Sequence, residues 1–131
     1  MRLFVLLLSM WVMPAIAADS EEPKTEAAAI EYLEMGPKFT VNLAEPKKYL
    51  LINVQLLVEA ESASTKIKKH LPALRHELIM LLSGRSADSL QTMQQREALR
   101  QEALLAFGKT LEKHESGDGL KDVFFTEFLI N

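Results

Sequence analysis

From Phe39 onward apolar and polar positions alternate, with Phe39, Val41 and Leu43 set against Lys38, Thr40 and Asn42. A period of two is the mark of a strand with one face buried and one in water. Residues 44–48, which include Pro46, form a polar connection short enough to join antiparallel neighbours. The next run, residues 49–60, carries an unbroken apolar row of Leu50, Ile52, Val54, Leu56 and Val58. Its other row mixes Tyr49, Leu51 and Leu57 with Asn53, Gln55 and Glu59, so one face is core and the other is half wet.

The period then changes. Ile67, Leu71, Leu74, Leu78 and Leu81 recur every three or four residues, which predicts a helix over about residues 64–82, capped by Ser62 or Ser64. Pro72 lies inside that pattern and lacks an amide donor, so either the helix kinks there or it starts near Leu71. Residues 83–86 read as a stop, and Ser86 or Asp88 can cap the next turn. Leu90 and Met93 lead into Leu99, Ala103, Ala106, Phe107 and Leu111, a second, long amphipathic helix. A loop of turn residues from His114 to Gly119 precedes a β-prone run over residues 123–130. Strict alternation sets Phe124 and Phe128 on one face of that run and Val123, Phe125 and Leu129 on the other. Apolar residues on both faces predict a strand inside the sheet. The resulting class is α+β: a small antiparallel or mixed sheet in the order β, β, α, α, β with two amphipathic helices packed on it.

Ahead of this pattern the chain is of another kind. Arg2 supplies a positive start, residues 3–13 are apolar apart from Ser9, and Pro14 precedes Ala15-Ile16-Ala17. That is the grammar of a secretory signal peptide with a small-residue cleavage site. A short membrane anchor is the competing reading, but Asp19, Glu21 and Glu22 close the run below the ~20 apolar residues a span needs. Residues 18–30 are acidic and alanine-rich, a tether leading to one domain over residues 31–131.

Composition narrows the function. The 131 residues carry a formal charge of −3, and loss of residues 1–17 removes one arginine and no acid, leaving 14 basic against 18 acidic. A mildly acidic domain with scattered cations lacks the basic stripe that nucleic acid requires. With no cysteine there is no disulfide, thiolate metal site or lipidated thiol.

No motif rises to chemistry. His76-Glu77 begins a zinc-protease helix signature, but the second histidine is replaced by Met80, and His70 falls on another helix face. His114, near Glu115, Asp118 and Asp122, has the neighbours of a general base in a loop that gathers such residues without a reaction. The segment Gly117-Asp118-Gly119 has neither the glycine pattern of a phosphate cradle nor the ligands of a calcium loop. Lys66, Lys68 and Lys69 form a small basic cluster that reads as a solvated helix face. No catalytic, cofactor or metal residue is assigned. Tyr32, Leu33 and Met35 are apolar outside any clear element; they pack on the domain or dock on a partner, and are the candidate partner-contact residues.

The order of these segments is more informative than any one of them. Residues 32–37, the Phe39-Thr40-Val41-Asn42-Leu43 strand, residues 49–58, the helix from His70-Leu71-Pro72 to Leu82, Leu99-Arg100 and the closing Val123-Phe124-Phe125-Thr126-Glu127-Phe128-Leu129-Ile130 resemble, together, the FliL family of flagellar basal-body-associated proteins. The resemblance covers about residues 31–131. It implies a non-enzymatic periplasmic domain of stomatin/prohibitin-like fold at the inner-membrane face of the basal body. Such a domain forms a ring of copies around the motor stator and supports rotation, swimming or swarming, and chemotaxis. Family members typically keep a full transmembrane helix, from which residues 3–17 depart. A soluble periplasmic adaptor without a flagellar role is the alternative.

Overall fold

The computed structural model describes residues 30–131. The expected signal peptide and nearly all of the expected tether lie outside the described residues. The chain order is β1 (Ile30–Glu34), β2 (Phe39–Asn42), β3 (Tyr49–Glu59), α1 (Glu61–Lys69), α2 (Leu71–Leu82), a 3-10 turn (Ala87–Leu90), α3 (Met93–Lys113) and β4 (Leu120–Ile130). The class is α+β with a wholly antiparallel sheet, carrying one strand and one α-helix more than the sequence pattern predicts.

β3 is the axis of the sheet. β1 and β2 pair with different parts of it, Ile30 opposite Glu59 and Phe39 opposite Ile52, so they lie end to end along one side. β4 pairs along nearly the whole of the other side, from Leu120 opposite Val58 to Ile130 opposite Leu50. The apolar row of β3 is the centre of the core: Leu50, Ile52, Val54, Leu56 and Val58 are all fully buried. Each such side chain contributes about 1.5–3 kcal/mol by leaving water. The three helices lie on that one face. α3 presents Leu99, Ala103, Phe107 and Leu111, spaced by four, to meet Leu74, Leu78 and Leu82 of α2 and Ile67 of α1 in the same cluster.

β4 departs from expectation twice. Among the described residues it is an edge strand, paired with β3 alone, and not an interior one. Its register shifts between Asn53 and Val54, where Glu127 and Phe125 are the partners and Thr126 is the extra residue. A second shift leaves Lys121 unpaired between Leu120 and Asp122. Each bulge reverses the phase of the alternation. The residues opposite the buried row of β3 are therefore Leu120, Val123, Phe125, Phe128 and Ile130. Phe124 and Phe128, which strict alternation sets on one face, lie on opposite faces. Apolar residues on both sides of this run report bulges, and not two covered faces.

The helical layer also differs from the pattern in its joints. The single predicted helix over residues 64–82 is broken at His70, and Pro72 occupies the first turn of α2, where a missing amide costs nothing. Neither Ser62 nor Ser64 caps α1. Its N-cap is Ala60, at φ 79° and without a side-chain acceptor, while Ser64 is buried. Ser86 caps the 3-10 turn through Ser89 N–H, and the long helix has its own cap, Thr92, in a reciprocal capping box with Gln95. Gly119, at φ 102°, is required by close approach: a Cβ there would stand 2.3 Å from Ala63 Cβ. Its carbonyl accepts Glu59 N–H at 2.8 Å, joining the start of β4 to the β3–α1 corner.

Candidate interaction surfaces

Among the described residues nothing covers the side of the sheet turned away from the helices. β1, assigned no element by the sequence pattern, places the three candidate contact residues differently. Leu33 and Met35 are buried in the core, 8% and 1% exposed, and Tyr32 is 62% exposed on the open face. Tyr32 leans toward Phe124 across β3, with ring centroids 6.3 Å apart. Ile30 and Leu129 are also exposed there, flanking the half-buried Leu51 and Leu57.

Arg75 fixes the passage from β1 to β2. Its Nη1 donates to the carbonyls of Met35 and Pro37, both at 3.0 Å, and its guanidinium lies 3.9 Å from the centre of the Phe39 ring. Gly36, at φ 110°, brings the backbone within reach of that arginine. The passage is thereby tied to α2, which holds Tyr32 in register.

A second feature lies between α3 and the free edge of β4, a groove of about 430 Å³. Arg96 and Arg100 are four residues apart and so share one face of α3. Both turn to this groove, Arg96 over the ring of Phe128 at 4.5 Å and Arg100 over that of Phe124 at 5.8 Å. Arg100 donates to both carboxylate oxygens of Glu97, to Asp122 and to the backbone carbonyl of Val123. Hydrogen bonds from Arg100, then from Gln101, hold the Glu97 carboxyl at about 2, against the ordinary 4.5, and the arginine is in turn held more firmly protonated. Arg96 has no carboxylate partner among the described residues; its Nε donates to Leu90 carbonyl at 3.0 Å. Met93, 82% exposed, stands at the mouth. The sequence pattern does not mark this groove. The four-residue spacing of its arginines is legible, but their apposition to β4 depends on the bulges.

A third depression, about 370 Å³, lies at the β3–α1 corner and is polar, with Ser62, Lys66, Ser116 and Lys121 beside Glu59, Glu115 and Asp118. Lys121 pairs with Glu59 at 3.1 Å, so its opposite charges are in part already matched. Of the basic cluster, Lys68 reaches Glu31 of β1 at 3.7 Å. Among the described residues His114 makes no ion pair with an acid. Its ring stacks on His70 with centroids 4.5 Å apart, pinning the α1–α2 joint to the end of α3. Among the described residues no three His, Asp or Glu side chains gather to hold a metal ion. No described helix is long and apolar enough to cross a membrane.

The surface thus offers an apolar sheet face, two strand edges and an arginine-walled groove, features suited to other polypeptides. Comparison with known proteins agrees. The family described as flagellar basal body-associated protein FliL matches residues 32–130. The flagellar protein FliL of Aquifex aeolicus (strain VF5) is 31% identical over 99 residues, 74% of this chain and 59% of that protein. Its counterpart in Escherichia coli (strain K12) is 25% identical over 122 residues, 93% of this chain and 79% of the relative; the Shigella flexneri protein aligns equally well. The chain spans under two thirds of the Aquifex protein's length. The family match takes in everything from the middle of β1 to the end of β4, and the chain belongs to the FliL family of flagellar basal body-associated proteins.

Proposed function

We propose that this protein is a non-enzymatic scaffold of the flagellar motor. It binds the stator on the periplasmic side, at the inner-membrane face of the basal body, and supports rotation and through it swimming, swarming and chemotaxis. The observation that carries the reading is the match of a flagellar basal-body family across residues 32–130. In this reading the domain is stomatin/prohibitin-like and works as a homo-oligomeric ring, without cofactor or nucleic acid. Of Tyr32, Leu33 and Met35, Tyr32 makes the partner contact, and Leu33 and Met35 anchor its strand. Deletion of the gene is expected to reduce torque and swarming; a deletion strain with unchanged torque, swimming and swarming would sink the proposal.

The signal-like residues 3–17 favour a second reading, a periplasmic adaptor with no part in the flagellum. Recovery of stator or basal-body proteins with a tagged copy counts against it. The intact mass of the protein from cell fractions bears on both: a chain starting at Ala18 in the periplasmic fraction is a diffusible protein, and a full-length chain in the membrane is an anchored one.

A further inference from the structure

We propose that the free edge of β4, from Phe128 to Ile130, accepts an extended segment of another protein as an added strand, and that this segment carries a carboxylate to Arg96. This rests on the scaffold reading above and names the surface and the chemistry of one partner contact.

Backbone valence places the contact. Among the described residues β4 pairs with β3 alone. Tyr49 and Asn131 exchange both of their backbone hydrogen bonds, each at 3.0 Å. In an antiparallel ladder such pairs alternate with pairs that make no bond to each other. Ile130, opposite Leu50, and Phe128, opposite Ile52, therefore turn N–H and C=O away from β3. Toward the start of β4 the edge is already closed: the Asp122 carboxylate accepts the Val123 N–H at 2.9 Å, and the Val123 carbonyl accepts from Arg100 at 3.2 Å. No side chain among the described residues closes Phe128 or Ile130 in this way. An edge left open like this is a template for a further strand.

Arg96 selects what that strand carries. Its Nε donates to the Leu90 carbonyl at 3.0 Å, and its guanidinium lies 4.5 Å from the centre of the Phe128 ring, which packs at 5.9 Å against Phe125. The arginine is thus held half-buried beside the edge, with no acceptor for its two terminal nitrogens among the described residues. Every acid here is already engaged. Glu97 gives both oxygens to Arg100, Asp122 is bonded to the same arginine, and Glu127, on the open face, pairs with Lys38 at 2.7 Å. Lys38, Arg96 and Arg100 stand against Glu97, Asp122 and Glu127, so the charges at this edge sum to zero and no long-range field draws the partner in. The selection is local. Of these cations Arg96 alone lacks a carboxylate, and one offered by the incoming strand meets its two nitrogens as a charge-assisted pair. A second β4 edge brings no such group, because its own acids are engaged in the same way.

The walls set the rest of the segment. On the helix side Met93, 82% exposed, and the half-buried Phe125 line the groove of about 430 Å³; on the other face of β4, Leu129 is 50% exposed. Side chains of an added strand alternate between these two faces. The fit is an apolar, β-prone segment with a single Asp or Glu on the helix side, opposite Phe128.

The test is a titration of the isotope-labelled full-length protein, followed by amide exchange. The probes are a short peptide alternating valine and threonine around one central glutamate, its glutamine counterpart, and two forms of the glutamate peptide N-methylated on alternate residues, one in each phase. The glutamate peptide is expected to protect the Phe128 and Ile130 amides and to leave Val123 unchanged. The N-methylated form whose blocked edge meets β4 should lose that protection, and the other should keep it. The glutamine peptide should bind roughly tenfold more weakly. Arg96→Gln, its fold checked by circular dichroism, should bring the glutamate and glutamine peptides to equal affinity with the protection pattern unchanged. Equal affinities in the parent protein, shifts centred on Tyr32 in place of β4, or no binding by any peptide would each overturn the proposal. So would protection of Phe128 and Ile130 before peptide is added: the edge is then filled by a second copy if protection falls on dilution, and by the chain's own residues 18–29 if it does not. Impaired motility on gene deletion, with no peptide bound, keeps the scaffold reading and removes this surface; peptide binding without a motility defect does the reverse.

Discussion

Ser64 carries its hydroxyl into the interior, 1% exposed, and Oγ has no hydrogen-bond partner among the described residues. A buried hydroxyl left unpaired costs about 1–3 kcal/mol, while alanine removes the polar atom and leaves only a small gap. Ser64→Ala is therefore expected to be neutral or to stabilise by up to ~1 kcal/mol, read from the urea midpoint at unchanged slope. A loss of that size would show instead that Oγ is bonded to a trapped water. Two carboxylates give the opposite lesson, Glu45 being half-buried and Glu97 exposed, and both well served. Glu45 accepts the Ala87 N–H with both oxygens at 3.0 Å, which lowers its proton affinity, and Glu97 is held at about 2 by Arg100. Groups whose folded values are depressed add stability that is present above their ordinary 4.5 and is lost as pH falls through the folded value. Melting temperature should thus drop from pH 4.5 toward pH 2, less steeply in Glu97→Gln than in the parent. Equal slopes would mean that the Glu97–Arg100 pair does not persist in solution.

At the scale of elements, β3 was legible because its buried row follows strict alternation over eleven residues. α3 was legible because its apolar stripe repeats every four. β1 was not, since its pattern is mostly exposed and only Leu33 points inward. The joint at His70 was half legible: Pro72 announced either a kink or a helix starting near Leu71, and the second is what the structure has, but the separate α1 before it was not foreseen. β4 misled because periodicity assumes a regular ladder, and two inserted residues leave its inward set at 120, 123, 125, 128 and 130. Of the surfaces, only Tyr32 was singled out in advance; the groove needs α3 and a bulged β4 together. The bulge at Thr126 has a measurable consequence. Deleting that residue restores simple alternation and spaces Val123, Phe125, Phe128 and Ile130 evenly by two, so all four can still face the core. No core side chain must turn outward, so the deletion is expected to change stability by no more than about 1 kcal/mol. Chemical denaturation of the deletion variant tests this, and a loss of about 3 kcal/mol or more would show that the bulged backbone itself is needed to seat Phe125 and Phe128.

For the whole molecule, the question is where the independently folding unit begins. The buried cluster runs from Leu33 to Val123 and draws on every element, β1 included. A chain of residues 30–131 contains all of it, whereas one starting at Pro37 lacks Leu33 and Met35 and leaves one side of β3 without a partner from Gln55 to Glu59. Those two side chains account for about 3–6 kcal/mol of burial, set against a total stability of about 5–15 kcal/mol for a domain of this kind. The shorter chain also removes the Met35 carbonyl that Arg75 holds and leaves the Pro37 carbonyl at a frayed end. Residues 30–131 are therefore expected to unfold in one cooperative transition. The chain from Pro37 should lose most of its stability and melt broadly, as followed by circular dichroism. If the two melt alike, β1 is an appendage docked on a finished domain. In that case a pull on the N-terminal segment could peel β1 away without unfolding the rest, and an interface built on β1 would be one that the same pull can release.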